Sequence, residues 1–336
     1  MRLLVRVDAS PQIGAGHLMR CIAASEAWRE AGGEVEFLTR CSNSNLLDQV
    51  TKSGASVTPL EAQGSDWQTL ESLGQNGQLL LLDGYHFDSE YQKRVKDYGF
   101  KLAVIDDMAK LPHYYADVIL NQNILASRLR YPREPGARLL LGTPYVLLRN
   151  EFRRLKMGER RVPDMARRLL ITMGGSDPAN FTVKAIQGVK RLSADMEVMV
   201  IVGAENAHLA ELSEEIAGCP HIRLATAVGD MPGYMQWADL AFTGAGSTCW
   251  ELAFMRVPMI AVVLAENQKP IASGLGEIGL AVNLGHHSAV SPHQIASAIS
   301  DLAPSQPRRA KMALRGAELI DGQGARRFAD VLQSVM

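Results

Sequence analysis

The run Leu79-Leu80-Leu81-Leu82 places the tightest constraint on how this chain can fold. Four successive apolar residues leave no polar face. That pattern suits a strand in a parallel sheet covered on both sides, not the alternating pattern of a half-exposed sheet. The run stops at Asp83-Gly84-Tyr85-His86, and residues 102–105 repeat the design before Asp106-Asp107. Further strands are expected at 3–7, 35–39, 56–60, 118–121 and 139–141, separated by helical patterns near 18–31, 45–53 and 67–73. In 18–31 the residues Leu18, Ile22, Ala23, Ala27, Trp28 and Ala31 form the apolar face. Arg20, Glu26, Arg29 and Glu30 are expected on the outer one.

After a charged stretch at 149–168 that contains Gly158 and Pro163, the alternation starts again. Strands are expected at 168–173, 198–202, 222–224, 240–243 and 258–264, with helices at 179–192, 209–217 and 249–255. Asp177 and Pro178 suit the cap and first position of the helix at 179–192. A length of 336 residues exceeds what one core usually holds, about 250 to 300 residues. The expectation is an α/β protein of two Rossmann-like domains with parallel sheets facing an interdomain cleft. Its parts are 1–150, carrying the catalytic loop; 151–167, a linker; 168–318, a nucleotide-binding domain; and 319–336, a helix returning to the first domain.

The totals exclude several classes. A net charge of −1 gives no electrostatic case for nucleic acid. Residues 1–10 lack the apolar core of a secretion signal, and no apolar run approaches a bilayer span, so a cytoplasmic protein is expected. Cys21, Cys41, Cys219 and Cys249 show no metal or disulfide spacing and read as buried thiols. No metal or cofactor is implied, and a monomer or weak dimer is expected.

Chemistry concentrates where strands end. Ligands of open α/β sheets gather beyond the carboxyl ends of the strands, a rim that Asp8, Asp83, Tyr85, His86, Asp106 and Asp107 would share. The opening strand runs into Gly14 and Gly16, which let a ligand approach the backbone, and then His17 at a helix start. Histidine titrates near neutral pH unaided, so His17 is a candidate proton acceptor, although a histidine there also serves as a cap or packing residue. Loops at 14–17, 174–178 and 244–248 each offer helix N–H groups to phosphate. Met19 occupies the third-glycine position of a dinucleotide fingerprint and no Gly-Lys-Ser/Thr loop occurs, which disfavours nicotinamide enzymes and P-loop phosphotransferases. Thr248-x-x-Glu251 fits a capping box, with a ribose-binding carboxylate as the alternative.

Arg6-Val7-Asp8-Ala9-Ser10 and Ile13-Gly14-x-Gly16-His17-x-x-Arg20-Cys21 together resemble the opening of the UDP-2,4-diacetamido-2,4,6-trideoxy-β-L-altropyranose hydrolases of pseudaminic acid biosynthesis. Met173-Gly174-Gly175-Ser176-Asp177, Glu251 and Asn267-Gln268 resemble later landmarks of that family, which is similar in fold to GT-B glycosyltransferases. The resemblance implies metal-independent, inverting hydrolysis at the anomeric carbon of a UDP-sugar. His17 would be the base, with Asp8 orienting or polarising it. It assigns Arg6, Ser10, Gly14, Gly16, Tyr85, Asn267 and Gln268 to the sugar. To UDP it assigns Gly174, Gly175, Ser176, Gly246, Ser247 and Thr248, with Glu251 at the ribose and Val228 near the uracil. Asp83-Gly84-Tyr85-His86 departs from the family's Asp-His-Tyr-Gly, which leaves the sugar's identity open. The alternatives are a GT-B glycosyltransferase, a UDP-sugar 2-epimerase or a non-catalytic nucleotide-sugar binding protein.

Overall fold

The computed structural model describes residues 1–10, 13–61, 64–192, 195–203, 206–226 and 228–336. Pro11 and Gln12 of the opening loop lie outside them. The chain forms two compact units, one of Met1–Arg153 with Gly322–Met336 and one of Arg154–Asp321.

In the first unit, the described residues run through β1 (Arg2–Val7), α1 (Gly16–Glu30), β2 (Glu34–Thr39), α2 (Ser44–Lys52), β3 (Ser56–Pro59) and α3 (Trp67–Leu73). They continue through β4 (Leu79–Asp83), α4 (Ser89–Tyr98), β5 (Lys101–Ile105), β6 (Val118–Asn121), β7 (Arg138–Leu141) and α5 (Asn150–Arg153). The strands pair in parallel in the order β3-β2-β1-β4-β5-β6-β7. Leu79 and Leu81 enter a core with Leu18, Ile22 and Trp28 of α1, whereas Leu80 and Leu82 enter one with Leu70, Phe87 and Val95. The period of two along a strand thus sends alternate leucines to opposite covered faces, which is why the run has no polar position.

The second unit contains β8 (Arg168–Thr172), α6 (Phe181–Val189), β9 (Glu197–Val202), α7 (Leu209–Glu215), β10 (Ile222–Thr226), α8 (Met231–Trp237), β11 (Leu240–Gly244) and α9 (Thr248–Phe254). It continues with β12 (Met259–Val263), α10 (Lys269–Glu277), β13 (Ala281–His286), α11 (Pro292–Leu302) and α12 (Gln306–Leu319). Its parallel sheet has the order β10-β9-β8-β11-β12-β13. The last helix, α13 (Gly324–Ser334), belongs to the first unit, where Phe328 and Leu332 join the core beside α1. No helix among the described residues is long and apolar enough to cross a membrane.

Several expectations are corrected. Residues 154–167, expected in a linker, are fastened to the second unit. Arg160 donates to the carbonyls of Met235 (3.2 Å), Met255 (3.1 Å) and Ala238, and the buried Arg309 holds the carbonyls of Pro163 (2.7 Å) and Asp164 (2.9 Å). The helix expected from 179 starts at Phe181. Asp177 still caps it, accepting from the N–H groups of Phe181 (2.9 Å) and Thr182 (2.8 Å) and from the Thr182 hydroxyl (2.6 Å). Pro178 is therefore in the loop, and two of the N–H groups expected to face phosphate are taken. Cys21 and Cys249 are buried, but Cys41 and Cys219 are only half-buried.

Candidate active site

In each sheet the strand order reverses direction beside the first strand of the unit, between β1 and β4 and between β8 and β11. Such a reversal opens a crevice at the carboxyl ends of the two strands. In the first unit it is flanked by His17 in the first turn of α1 and by Asp83, the last residue of β4, with the loop that follows to Phe87.

His17 Nδ1 lies 2.6 Å from Asp83 Oδ1. With Nδ1–H donating to this carboxylate, Nε2 is the nitrogen left to accept a proton. Arg20 grips the same carboxylate through Nε (2.6 Å) and Nη2 (2.7 Å) and reaches Asp107 through Nη1 (2.6 Å). Asn123 Nδ2 donates to the other oxygen of Asp107 (2.8 Å), and the Tyr85 hydroxyl donates to Asp107 Oδ2 (3.1 Å). The Tyr85 ring meets His17 edge-on at 4.9 Å, with 46% of the tyrosine exposed against 7% of the histidine. Burial pushes the Asp83 carboxyl up, but Arg20 and His17 outweigh it and hold it at about 2. Burial also opposes the charge of Arg20, yet Asp107 and Asp83 raise its pKa well above the usual value. Asp83 and Arg20 therefore remain ionised across the physiological range.

Asp8 is not the partner of His17. Its carboxylate is held by Arg6, with Nη2 to Oδ2 at 2.9 Å, by the Arg40 N–H (2.7 Å) and by His86 Nε2 (3.3 Å). Burial pushes this carboxyl up, but His86 and Arg6 prevail and hold it far below the ordinary range. The reason lies in strand parity. Val7 pairs with Asp83, so Asp83 shares the α1 face with Leu79 and Leu81, while Arg6 and Asp8 look toward the face of α3 and α4. Arg6, expected at the sugar, is fully buried between Asp8 and Asp66 with its guanidinium 5.1 Å from the Phe87 ring centre. Ser10, expected at the sugar, accepts from the Ile13 N–H (3.2 Å). Gly14, at φ 80°, supplies the left-handed turn before α1, and Gly16 is exposed at its start.

Arg20 was expected on the outer face of α1 and is instead buried. A spacing of three residues from His17 puts both on one side of the helix, the signal that would have placed it correctly. Asp106, another rim candidate, caps the following turn through the N–H groups of Met108 (2.9 Å) and Ala109 (2.6 Å).

In the second unit the loops after β8 and β11, holding Gly174 to Ser176 and Gly246 with Ser247, flank the reversal of strand order, and Thr248 opens the helix that follows. Gly174 takes φ 88°, and a Cβ on Gly203 would strike the Gly174 and Gly175 carbonyls, so the end of β9 lies against this loop. Thr248 is the first residue of α9, and Ser247, at φ −59° and ψ −27°, makes no side-chain cap bond. The expected capping box is therefore absent, because its first residue lies within the helix instead of in the extended conformation a cap requires. Glu251 sits in the first turn of α9. Asn267 and Gln268 belong to a 3₁₀ turn after β12, where Gln268 Oε1 accepts from the Leu264 N–H (2.9 Å). Val228 lies between β10 and α8, whose start is capped by Asp230 through the Gly233 N–H (2.9 Å). Among the described residues no group of three or more His, Cys, Asp and Glu could hold a metal ion.

Residues 169–329 match the family model for the glycosyltransferase family 28 C-terminal domain. An uncharacterised protein of Methanocaldococcus jannaschii, MJ1062, is 24% identical over 277 residues, or 80% of this chain. The match spans only 56% of that relative's length. The UDP-2,4-diacetamido-2,4,6-trideoxy-β-L-altropyranose hydrolase of Campylobacter jejuni is 25% identical over 289 residues, covering 84% of this chain and 98% of the relative. Among solved structures, MurG of Acinetobacter baumannii is similar with a TM-score of 0.67 at 14% identity, covering 99% of each chain. The fold class is therefore GT-B-like, with two Rossmann-like domains built on parallel sheets.

Proposed function

We propose that the chain hydrolyses a UDP-2,4-diacetamido-2,4,6-trideoxy sugar at its anomeric carbon, with inversion. The products are UDP and the free sugar, used for a pseudaminic-type nonulosonic acid. The observation that carries this reading is the His17–Asp83 pair at the strand-order reversal of the first unit. Similarity to the Campylobacter hydrolase over most of the chain supports it. His17 Nε2 takes a proton from water as the oxygen bonds to the anomeric carbon. The bond from that carbon to the phosphate oxygen breaks, and its electron pair leaves with UDP. Asp83 stabilises the imidazolium and fixes the tautomer, and so takes over the orienting part that the resemblance implies for Asp8. Tyr85 offers the sugar a wall beside His17.

UDP binding is assigned to the second unit. Gly174, Gly175, Ser176, Gly246, Ser247 and Thr248 would lie at the diphosphate, Glu251 at the ribose and Val228 at the uracil. Asn267 and Gln268 would contact the sugar. The match to a glycosyltransferase domain favours a second reading, transfer of the sugar to an acceptor by the same site.

General-base catalysis contributes about 10² to 10⁴ in rate, so His17→Asn is expected to lose turnover by that factor while UDP binding, measured by calorimetry, persists. Near-normal turnover would remove His17 from the role. Loss of UDP binding alone would make it a phosphate contact.

A further inference from the structure

Arg20 is a buried cation beside the proposed base, with no part in the proton transfer at His17 Nε2. Its Nη2 lies 3.1 Å from His17 Nδ1, and both nitrogens are within hydrogen-bond reach of Asp83 Oδ1, at 2.7 and 2.6 Å. Nδ1 cannot donate to Asp83 and also accept from Arg20, so two N–H groups converge on one oxygen. This fixes the proton on Nδ1. It also sets a permanent positive charge against a ring that must become positive when it acts as a base.

A carboxylate beside histidine favours the imidazolium, and a cation at the same distance opposes it. A base protonated at the working pH is useless, so the balance between the two matters. The groups around His17 divide by element. From α1 come Arg20 and Cys21, whose thiol is 3.5 Å from Asp83; from β4 and its loop come Asp83 and Tyr85; from the loop after β5 comes Asp107. Asp8 and His86 are engaged with one another. Arg20 joins the two carboxylates, and Asp107 in turn holds the hydroxyl of the Tyr85 ring that stands against His17.

We propose that Arg20 is a positioning residue whose fixed charge opposes the gain of a proton by His17 and which, through Asp107, fixes the Tyr85 ring beside it. The catalytic part rests on His17 being the base. Removing the cation and removing its second carboxylate should then act on His17 in opposite directions, which a purely structural role would not produce.

The test follows the ring signals of His17 by NMR against pH in the full-length protein without substrate, alongside pH profiles of kcat/KM with the UDP-sugar. Arg20→Gln should move the midpoint of the titration and the acid limb of the profile to higher pH. Asp107→Asn, which keeps hydrogen-bonding atoms for Arg20 and Tyr85, should move both lower. Arg20→Lys should restore the midpoint because it restores the charge, while kcat stays reduced because the two-pronged grip on Asp83 is lost. Tyr85→Phe, a charge-neutral change, should leave the midpoint in place.

Movement in the same direction in Arg20→Gln and Asp107→Asn, or none in either, overturns the proposal. If Arg20→Gln does not fold, an unmoved or raised midpoint in Asp107→Asn overturns it alone. The NMR arm needs no turnover. Opposed midpoint shifts without UDP-sugar hydrolysis would remove the hydrolase reading and leave the electrostatic role of Arg20 standing. Hydrolysis with unmoved midpoints would do the reverse.

Discussion

His17 takes its character from the carboxylate beneath it, and the choice of Asp83 over Asp8 is a matter of which way a strand points each side chain. Both aspartates end apolar strands, so composition and motif do not separate them. The pairing of Val7 with Asp83 does, since neighbours in register share a face. The motif made His17 and Tyr85 legible, but register between β1 and β4 is a long-range property that a single sequence does not display. The sequence points Arg20 outward because an arginine on a helix is ordinarily solvated, whereas here two carboxylates offset its burial. Asp83 also links the site to stability. Its carboxyl is held at about 2 against an ordinary 3.8, so the ionised form stabilises the fold at higher pH. That contribution is present in full above the ordinary value and is lost as pH falls from 3.8 toward 2. Urea midpoints measured across this window should fall more steeply for the wild type than for Asp83→Asn. Parallel curves would contradict the ionised pair.

Helices and strands were legible where their patterns are strong and obscure where neighbours decide. The covered strands β4, β5, β8 and β12 announce themselves as apolar runs. By contrast β13, with the sequence Ala-Val-Asn-Leu-Gly-His, is an edge strand with mostly half-exposed residues and was not expected. The helix α4 likewise leaves little trace in the sequence, since it buries little beyond Gln92 and Val95 and its apolar face is thin. Helix starts shifted for a local reason: Asp177 caps α6 from four residues before Phe181, and Thr248 lies inside α9. Close approach matters at the start of α13, where a Cβ on Gly324 would strike the backbone of Val146 and Tyr145. Gly324→Ala should destabilise the protein by about 1 to 3 kcal/mol in denaturant unfolding, the usual cost of overpacking against an unyielding neighbour. An unchanged midpoint would show that α13 can shift without loss.

At the scale of the whole molecule, the repeated strand and helix rhythm was enough to give two Rossmann-like domains, because covered parallel strands admit few other architectures. The chain leaves the first unit at Arg153 and comes back at Gly322, so Phe328 and Leu332, near its last residues, complete the core around Leu18 and Trp28 near its first. The candidate base belongs to the first unit, and the loops assigned to UDP belong to the second. The direct test of hydrolysis is incubation of the full-length protein with UDP-2,4-diacetamido-2,4,6-trideoxy sugars and no acceptor, following UDP release and the first-formed anomer by NMR. Release of UDP with a free sugar of inverted configuration is the predicted result. Retention of configuration would contradict direct attack by water activated at His17, and no release until an acceptor is added would contradict hydrolysis and favour transfer.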